Sequence, residues 1–351
     1  MTITINKKEY SLHTLDTGAQ ELSKKRWDSI AKPLHSLGKM EDLVIQTAGI
    51  TGDANVTYDK KALIVMCADN GVVAEGVTQS EQNVTAIVSE NFLSDKATAA
   101  ILCKQTGAEI FPIDIGIAVD TKLENHKIAY GTKNMAKEPA MTREEAERAM
   151  EVGIEKVREL SEQGYKIIAT GEMGIGNTTT SSALASYFLQ EDVEKMTGRG
   201  AGLTSKALEK KIAVVRKAIA DYSPAFTDAI DALAALGGFD IAGMAGVFLG
   251  GEIYRVPIVM DGFISSTAAL TATRICPACK DFIMASHVSK EPAAEKILAA
   301  MDKEAALHCD MCLGEGTGAV TLFPILDLAT QIYEQMSTFE DIEIDAYVEL
   351  K

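Results

Sequence analysis

Apolar and polar positions along the chain alternate between two patterns. Short runs rich in β-branched residues recur at 62–68, 108–114, 166–170, 256–260 and 282–285, and each reads as a strand. Between them lie long stretches of helical periodicity. The clearest is 142–163, where Thr142 followed three residues later by Glu145 has the reciprocal pairing that opens a helix. Near-continuous apolar strands separated by helices predict an α/β chain, a parallel sheet with helices on both faces. The first and last segments lack this alternation and read as polar-helical. They predict a small helical domain formed by both chain ends, 1–59 with 321–351, beside a large α/β domain at 60–320. No period of ~20–50 residues repeats, which removes solenoids from consideration.

Composition narrows the class. With 351 residues, 47% of them hydrophobic, the chain can bury a large core. Lys and Arg total 34 against 50 Asp and Glu, a net charge of −16, which opposes binding to phosphate backbones or anionic lipid, so neither nucleic acid nor a membrane is an expected partner. No run reaches the ~18 apolar residues of a spanning helix, and the first ten residues lack the plan of a signal peptide. Six cysteines without an export signal read as reduced thiols, and a cytoplasmic location is expected.

Open α/β sheets bind ligands at the carboxyl ends of their strands. Here those ends carry Asp69-Asn-Gly71, Asp114-Ile-Gly116, Gly171-Glu-Met-Gly174, Asp261-Gly262 and Ser286-His287. Any one could be a turn or a helix cap; five together point to a site. Gly171-Glu-Met-Gly-Ile-Gly-Asn-Thr-Thr-Thr180 follows a strand and precedes an apolar helix, so its N–H groups can converge on an anion. It is not a nucleoside-triphosphate loop, because Asn177 stands where that motif needs lysine, and it lacks the third glycine of a dinucleotide fingerprint. A monophosphate-sized site remains. Glu172 beside it suits ribose hydroxyls, and of Lys206, Lys210 and Lys211, downstream of the glycine-rich 197–203 segment, any could face the phosphate or simply be solvated. In Leu313-Gly-Glu-Gly-Thr-Gly-Ala-Val320, before an apolar helix at 320–332, Glu315 lies between two glycines. An exposed turn there suits a general base; the alternative is a charged helix cap.

Six ordered segments together resemble the nicotinate-nucleotide:dimethylbenzimidazole phosphoribosyltransferase family, which makes α-ribazole phosphate for the lower ligand of cobamides. They begin at Lys32-Pro-Leu-His, Ala68-Asp-Asn-Gly, Gly171-Glu-Met-Gly, Asp261-Gly-Phe-Ile, Ser286-His-Val-Ser and Leu313-Gly-Glu-Gly, and span most of the chain. The resemblance implies a homodimer with a large Rossmann-like domain and a small helical domain from both chain ends. It implies transfer of phosphoribose from nicotinate mononucleotide to a benzimidazole nitrogen, with inversion from β to α and no cofactor or metal. It puts the catalytic base on Glu315, the ribose and phosphate contacts on Glu172, Gly174, Gly176, Asn177, Thr178 and Lys211, and the aromatic base against Gln82, Met173 and Leu313.

Three departures from the family pattern stand out, the first two near the expected base pocket. Asn70 stands where the family commonly has histidine, Ser80-Glu-Gln82 where Tyr-Pro-Gln is frequent, and Cys312 where an arginine is usual. The first two widen the acceptor class to other benzimidazoles, purines or phenols, and the third weakens assignments that lean on position 312. Cys276, Cys279, Cys309 and Cys312 form two C-x-x-C pairs, read as ordinary thiols in preference to a four-thiolate metal site, and His287 reads as structural. The competing classes are a non-catalytic phosphosugar-binding module, which would tolerate replacement of Glu315, and a nicotinamide-dependent oxidoreductase, for which the chain lacks a fingerprint.

Overall fold

A computed structural model describes residues 1–200 and 202–347. The chain opens with an antiparallel hairpin, β1 (Thr2–Ile5) and β2 (Lys8–Ser11). The main sheet follows: β3 (Lys61–Ala68), β4 (Ala108–Gly116), β5 (Glu124–Asn125), β6 (Ile167–Met173), β7 (Ile258–Met260) and β8 (Ile283–Ala285). These strands are all parallel, in the order β5-β4-β3-β6-β7-β8. The strand order reverses between β3 and β6, the place where such sheets open a crevice.

β3 is buried along its whole length, which explains its unbroken apolar run. Its side chains alternate: Ala62, Ile64 and Met66 enter the core on one face, Leu63, Val65 and Cys67 that on the other. The first face is covered by the Arg143–Glu162 and Phe239–Tyr254 helices. They pack backbone to backbone: a Cβ on Gly246 would collide with the Met150 carbonyl oxygen, and one on Gly153 with that of Gly243. The expected capping box is present at Thr142 and Glu145.

On the other face lie the Thr98–Thr106 and Thr317–Gln335 helices. Here the chain ends meet: Trp27 packs on Tyr333 at 5.0 Å between ring centroids, Ile30 bridges Thr338, and the Arg26 guanidinium donates to the carbonyl oxygens of Tyr333, Glu334 and Met336. This assembly shares its core with Leu63 and Val65. Residues 348–351 of the expected helical domain lie outside the described residues.

Two expectations change. Residues 2–11 are a hairpin, not helix, docked by Asn6 and Lys8 on Glu151 and Glu155 of the Arg143–Glu162 helix. And 171–173 belongs to β6, not to the loop after it, because Gly171, Glu172 and Met173 continue the ladder opposite Val65, Met66 and Cys67.

Candidate active site

A cavity of about 340 Å3 opens at the carboxyl ends of β6, β7 and β8, roofed by Thr78 and Ser80 from the segment after β3. Glu172 and residues 173–178 line one side, Glu315 and residues 312–314 another, and Asp261, His287 and Glu291 the floor. The ends of β3 and β4 are committed elsewhere. Asp114 holds the Lys127 ammonium with both oxygens at 2.8–2.9 Å, and Asp69 accepts the Ala118 N–H at 2.8 Å.

Pairing with β3, which sets Glu172 opposite Met66, puts Glu172 into the protein, where only 6% of it is exposed. The Asn177 side-chain amide donates both to Glu172 and, at 3.1 Å, to Asp240, a fully buried acid on the Phe239–Tyr254 helix. Two carboxylates thus share one amide. Burial pushes Glu172 up to about 8, helped by the negative charge of Asp240, and pushes Asp240 up to about 6 against the hydrogen bond from Asn177. Near neutral pH the pair therefore tends to hold a proton.

Glu315 sits at the centre of a left-handed triplet, with φ of 90° at Gly314, 61° at Glu315 and 82° at Gly316. Only Glu315 carries a Cβ there, a strain that its surroundings must hold. They do so in two ways. The Asp261 carboxylate accepts the Gly316, Gly318 and Ala319 N–H groups at 3.1, 2.7 and 3.1 Å, donors that a helix start leaves without partners. The triplet also lies flat on β6, where a Cβ on Gly171 would stand 2.7 Å from the Glu315 carbonyl oxygen. The Glu315 N–H reaches Glu172 at 3.3 Å. The Glu315 carboxyl is half-buried, with proton affinity raised by burial and then by the charge of Asp261. Among the described residues no group hydrogen-bonds that carboxyl, so it is free to take a proton from a ligand.

Gly176, at φ 95°, starts the Asn177–Leu189 helix, whose N-terminus faces the cavity. The cation missing from this loop comes from elsewhere. Lys211, 1% exposed, donates to the Thr178 hydroxyl at 2.8 Å and to the Gly198 carbonyl at 3.2 Å. Burial lowers it to about 8, while the charge of Glu291 acts to raise it. Lys206 and Lys210 point to solvent.

Met173 and Leu313 supply apolar walls, the latter 56% exposed at the rim. Gln82 is not among the lining residues; its amide lies towards Gly131, and Thr78 and Ser80 take the place expected of it. The cysteines separate. Cys276 donates to the buried Glu252 at 3.1 Å and Cys279 to the Phe248 carbonyl at 3.2 Å, whereas Cys309 and Cys312 are exposed, and among the described residues no three His, Cys, Asp or Glu side chains are grouped to hold a metal. His287 lies on the floor, its Nδ1 3.1 Å from the Ser286 hydroxyl and 3.9 Å from Asp261. Sequence reasoning misses Asp240 and finds Asp261 only as a strand end. A lone acid inside the apolar 239–254 run is the available signal for the first.

This chain is similar to known proteins over nearly its whole length. It is 48% identical over 330 residues, 93% of this chain and 94% of the other, to a nicotinate-nucleotide–dimethylbenzimidazole phosphoribosyltransferase of Acetivibrio thermocellus. It is 48% identical over 343 residues, 97% of each chain, to one from Clostridium acetobutylicum. The crystal structure of CobT from Thermus thermophilus is similar with a TM-score of 0.89 at 34% identity, covering 93% of this chain and 99% of that one. A family model described as phosphoribosyltransferase matches residues 12–344, and the chain accordingly belongs to the nicotinate-nucleotide–dimethylbenzimidazole phosphoribosyltransferase family.

Proposed function

We propose that the cavity transfers the phosphoribosyl group of nicotinate mononucleotide to a benzimidazole-type base, giving α-ribazole 5′-phosphate and nicotinate for cobamide assembly. One observation carries the reading: Glu315 and the Gly174–Thr178 turn, from different elements, line the same cavity. The Gly176-Asn177-Thr178 turn and Lys211 hold the phosphate, Gly174 lines the cavity beside them, and Glu172 accepts from or donates to the ribose hydroxyls. Met173 and Leu313 flank the planar acceptor. Nicotinate departs from a positively charged pyridinium, so its release neutralises charge and needs little acid assistance. The acceptor nitrogen arrives on the opposite face, which inverts the anomeric centre, and Glu315 removes its proton.

Incubation with nicotinate mononucleotide and a panel of benzimidazoles, purines and phenols tests this through nicotinate release and the α-linked product. Glu315→Gln is expected to bind the mononucleotide normally while slowing turnover by ~10² or more. Unchanged turnover rejects the role. A purine or phenol acceptor is favoured by the fact that Ser80 and Cys312, two of the departures from the family pattern, both line the cavity. The Thr17–Ser29 and Lys39–Thr51 helices pack with the Thr317–Gln335 helix as a small helical unit drawn from both ends of the chain. The enzyme works as a homodimer, to be checked by light scattering, in the cytoplasm, where its six unpaired thiols stay reduced.

A further inference from the structure

We propose that Glu291 is a phosphate-binding residue that works in its protonated form, donating a hydrogen bond from its carboxyl group to the phosphate of the incoming nucleotide. The inference rests on the assignment of the Gly176-Asn177-Thr178 turn and Lys211 to that phosphate. Glu291 follows β8 and lines the cavity beside Thr178 and Gly200. Its Oε2 is shielded from solvent and has no hydrogen-bond partner. The same oxygen lies so close to the backbone of Gly198 that a Cβ there would collide with it, which fixes the carboxyl against the loop that also receives the Lys211 ammonium.

The surrounding charges leave this oxygen unanswered. Lys211, on the Ser205–Tyr222 helix, is the cation that acts on Glu291, but its hydrogen bonds go to Thr178 and Gly198. Arg199 on the loop donates to the Leu203 carbonyl at 2.6 Å and to Ser205 at 3.1 Å. On the segment carrying Glu291, Lys290 faces Asp310 at 3.8 Å, Lys296 pairs with Glu191 at 2.6 Å, and His287 turns to Ser286. A buried anionic oxygen without a donor is costly, whereas a carboxylic acid needs one acceptor for its proton. A phosphate oxygen is such an acceptor, and its negative charge further favours the protonated acid. Burial already raises the proton affinity of Glu291, against the opposing pull of Lys211 and the Gly200 backbone. The proton comes from solvent as the nucleotide binds.

The test compares the unaltered enzyme with Glu291→Gln, Glu291→Ala and Lys211→Ala. The readouts are KM for nicotinate mononucleotide and for nicotinate riboside, which lacks the phosphate. Proton uptake on mononucleotide binding is read by calorimetry near neutral pH in buffers of different ionisation enthalpy. Glu291→Gln, whose amide also donates, keeps the mononucleotide KM within about threefold, and Glu291→Ala raises it about tenfold or more. Neither changes the riboside KM by that factor, and the unaltered enzyme takes up more protons than Glu291→Gln. Equal uptake by these two, or a Gln variant as weak as Ala, overturns the inference, the latter being the result expected of an ionised counter-ion to Lys211. If Lys211→Ala leaves the mononucleotide KM unchanged, the phosphate assignment falls and this inference with it. If Lys211→Ala raises it while both Glu291 variants match the unaltered enzyme, the inference alone falls.

Discussion

Asp261→Asn isolates what holds the Glu315 turn in place. The two carboxylate oxygens divide their work: one accepts Gly318 and Ala319, the other Gly316. An asparagine has a single acceptor oxygen. If it stays with Gly318 and Ala319, its NH2 faces the Gly316 N–H, donor against donor, and the residue beside Glu315 is released. Losing the charge and leaving one buried donor unpaired costs about 2–4 kcal/mol. At about 2.1 cal/mol/K of unfolding entropy per residue, a chain this long loses about 3–5 °C of melting temperature for that energy. The functional effect is larger in proportion, because misplacing a reacting group by about 1 Å can cost ~10²-fold. We expect kcat to fall ~10- to 100-fold, with the lower melting temperature seen by scanning calorimetry. Glu315→Gln serves as the control that lowers kcat without the thermal shift. If Asp261→Asn melts and turns over like the parent, the carboxylate does not hold the turn and the reasoning is wrong.

Other outcomes follow from the same geometry. Gly171→Ala places a methyl 2.7 Å from the Glu315 carbonyl, so kcat should drop at least about tenfold; a fully active variant would mean that the turn need not lie against β6. Glu172 and Asp240 have folded-state proton affinities above their ordinary carboxyl values, at about 8 and about 6. The folded chain therefore keeps protons that the unfolded chain releases, and the stabilisation they give is complete at low pH and lost as pH rises through 6 and 8. Urea midpoints should accordingly fall between pH 6 and 8, with a smaller fall in Asp240→Asn; parallel curves for the two proteins would contradict the shared-proton picture.

Much of this is legible from the residues in order. Strands such as β3 announce themselves because burial on both faces demands an unbroken apolar run, and Glu315 stands out because glycine on either side is what a left-handed triplet needs. The end of β6 is easily misread because Gly171-Glu172-Met173 looks like loop sequence; the glycine is there for the backbone docked against it, a constraint imposed from more than 140 positions away. Asp240 is beyond local reading for the same reason, since its partner Asn177 is 63 positions distant. The hairpin at 2–11 is within reach. Thr-Ile-Thr-Ile has the period of a half-buried strand, and Asn6 and Lys7, at φ 47° and 64°, make the two-residue left-handed turn that such pairs favour.

The backbone contact between the Arg143–Glu162 and Phe239–Tyr254 helices sets a rule for how this protein can drift. Gly153 and Gly246 do not line the cavity, yet a methyl group at either would wedge apart the two helices beneath the sheet. A saturation screen scored only by growth or product would mark them as intolerant as Glu315. Sorting the hits by how much folded protein accumulates separates the two groups: scaffold glycines vanish from the soluble fraction, while catalytic positions yield abundant, inert enzyme.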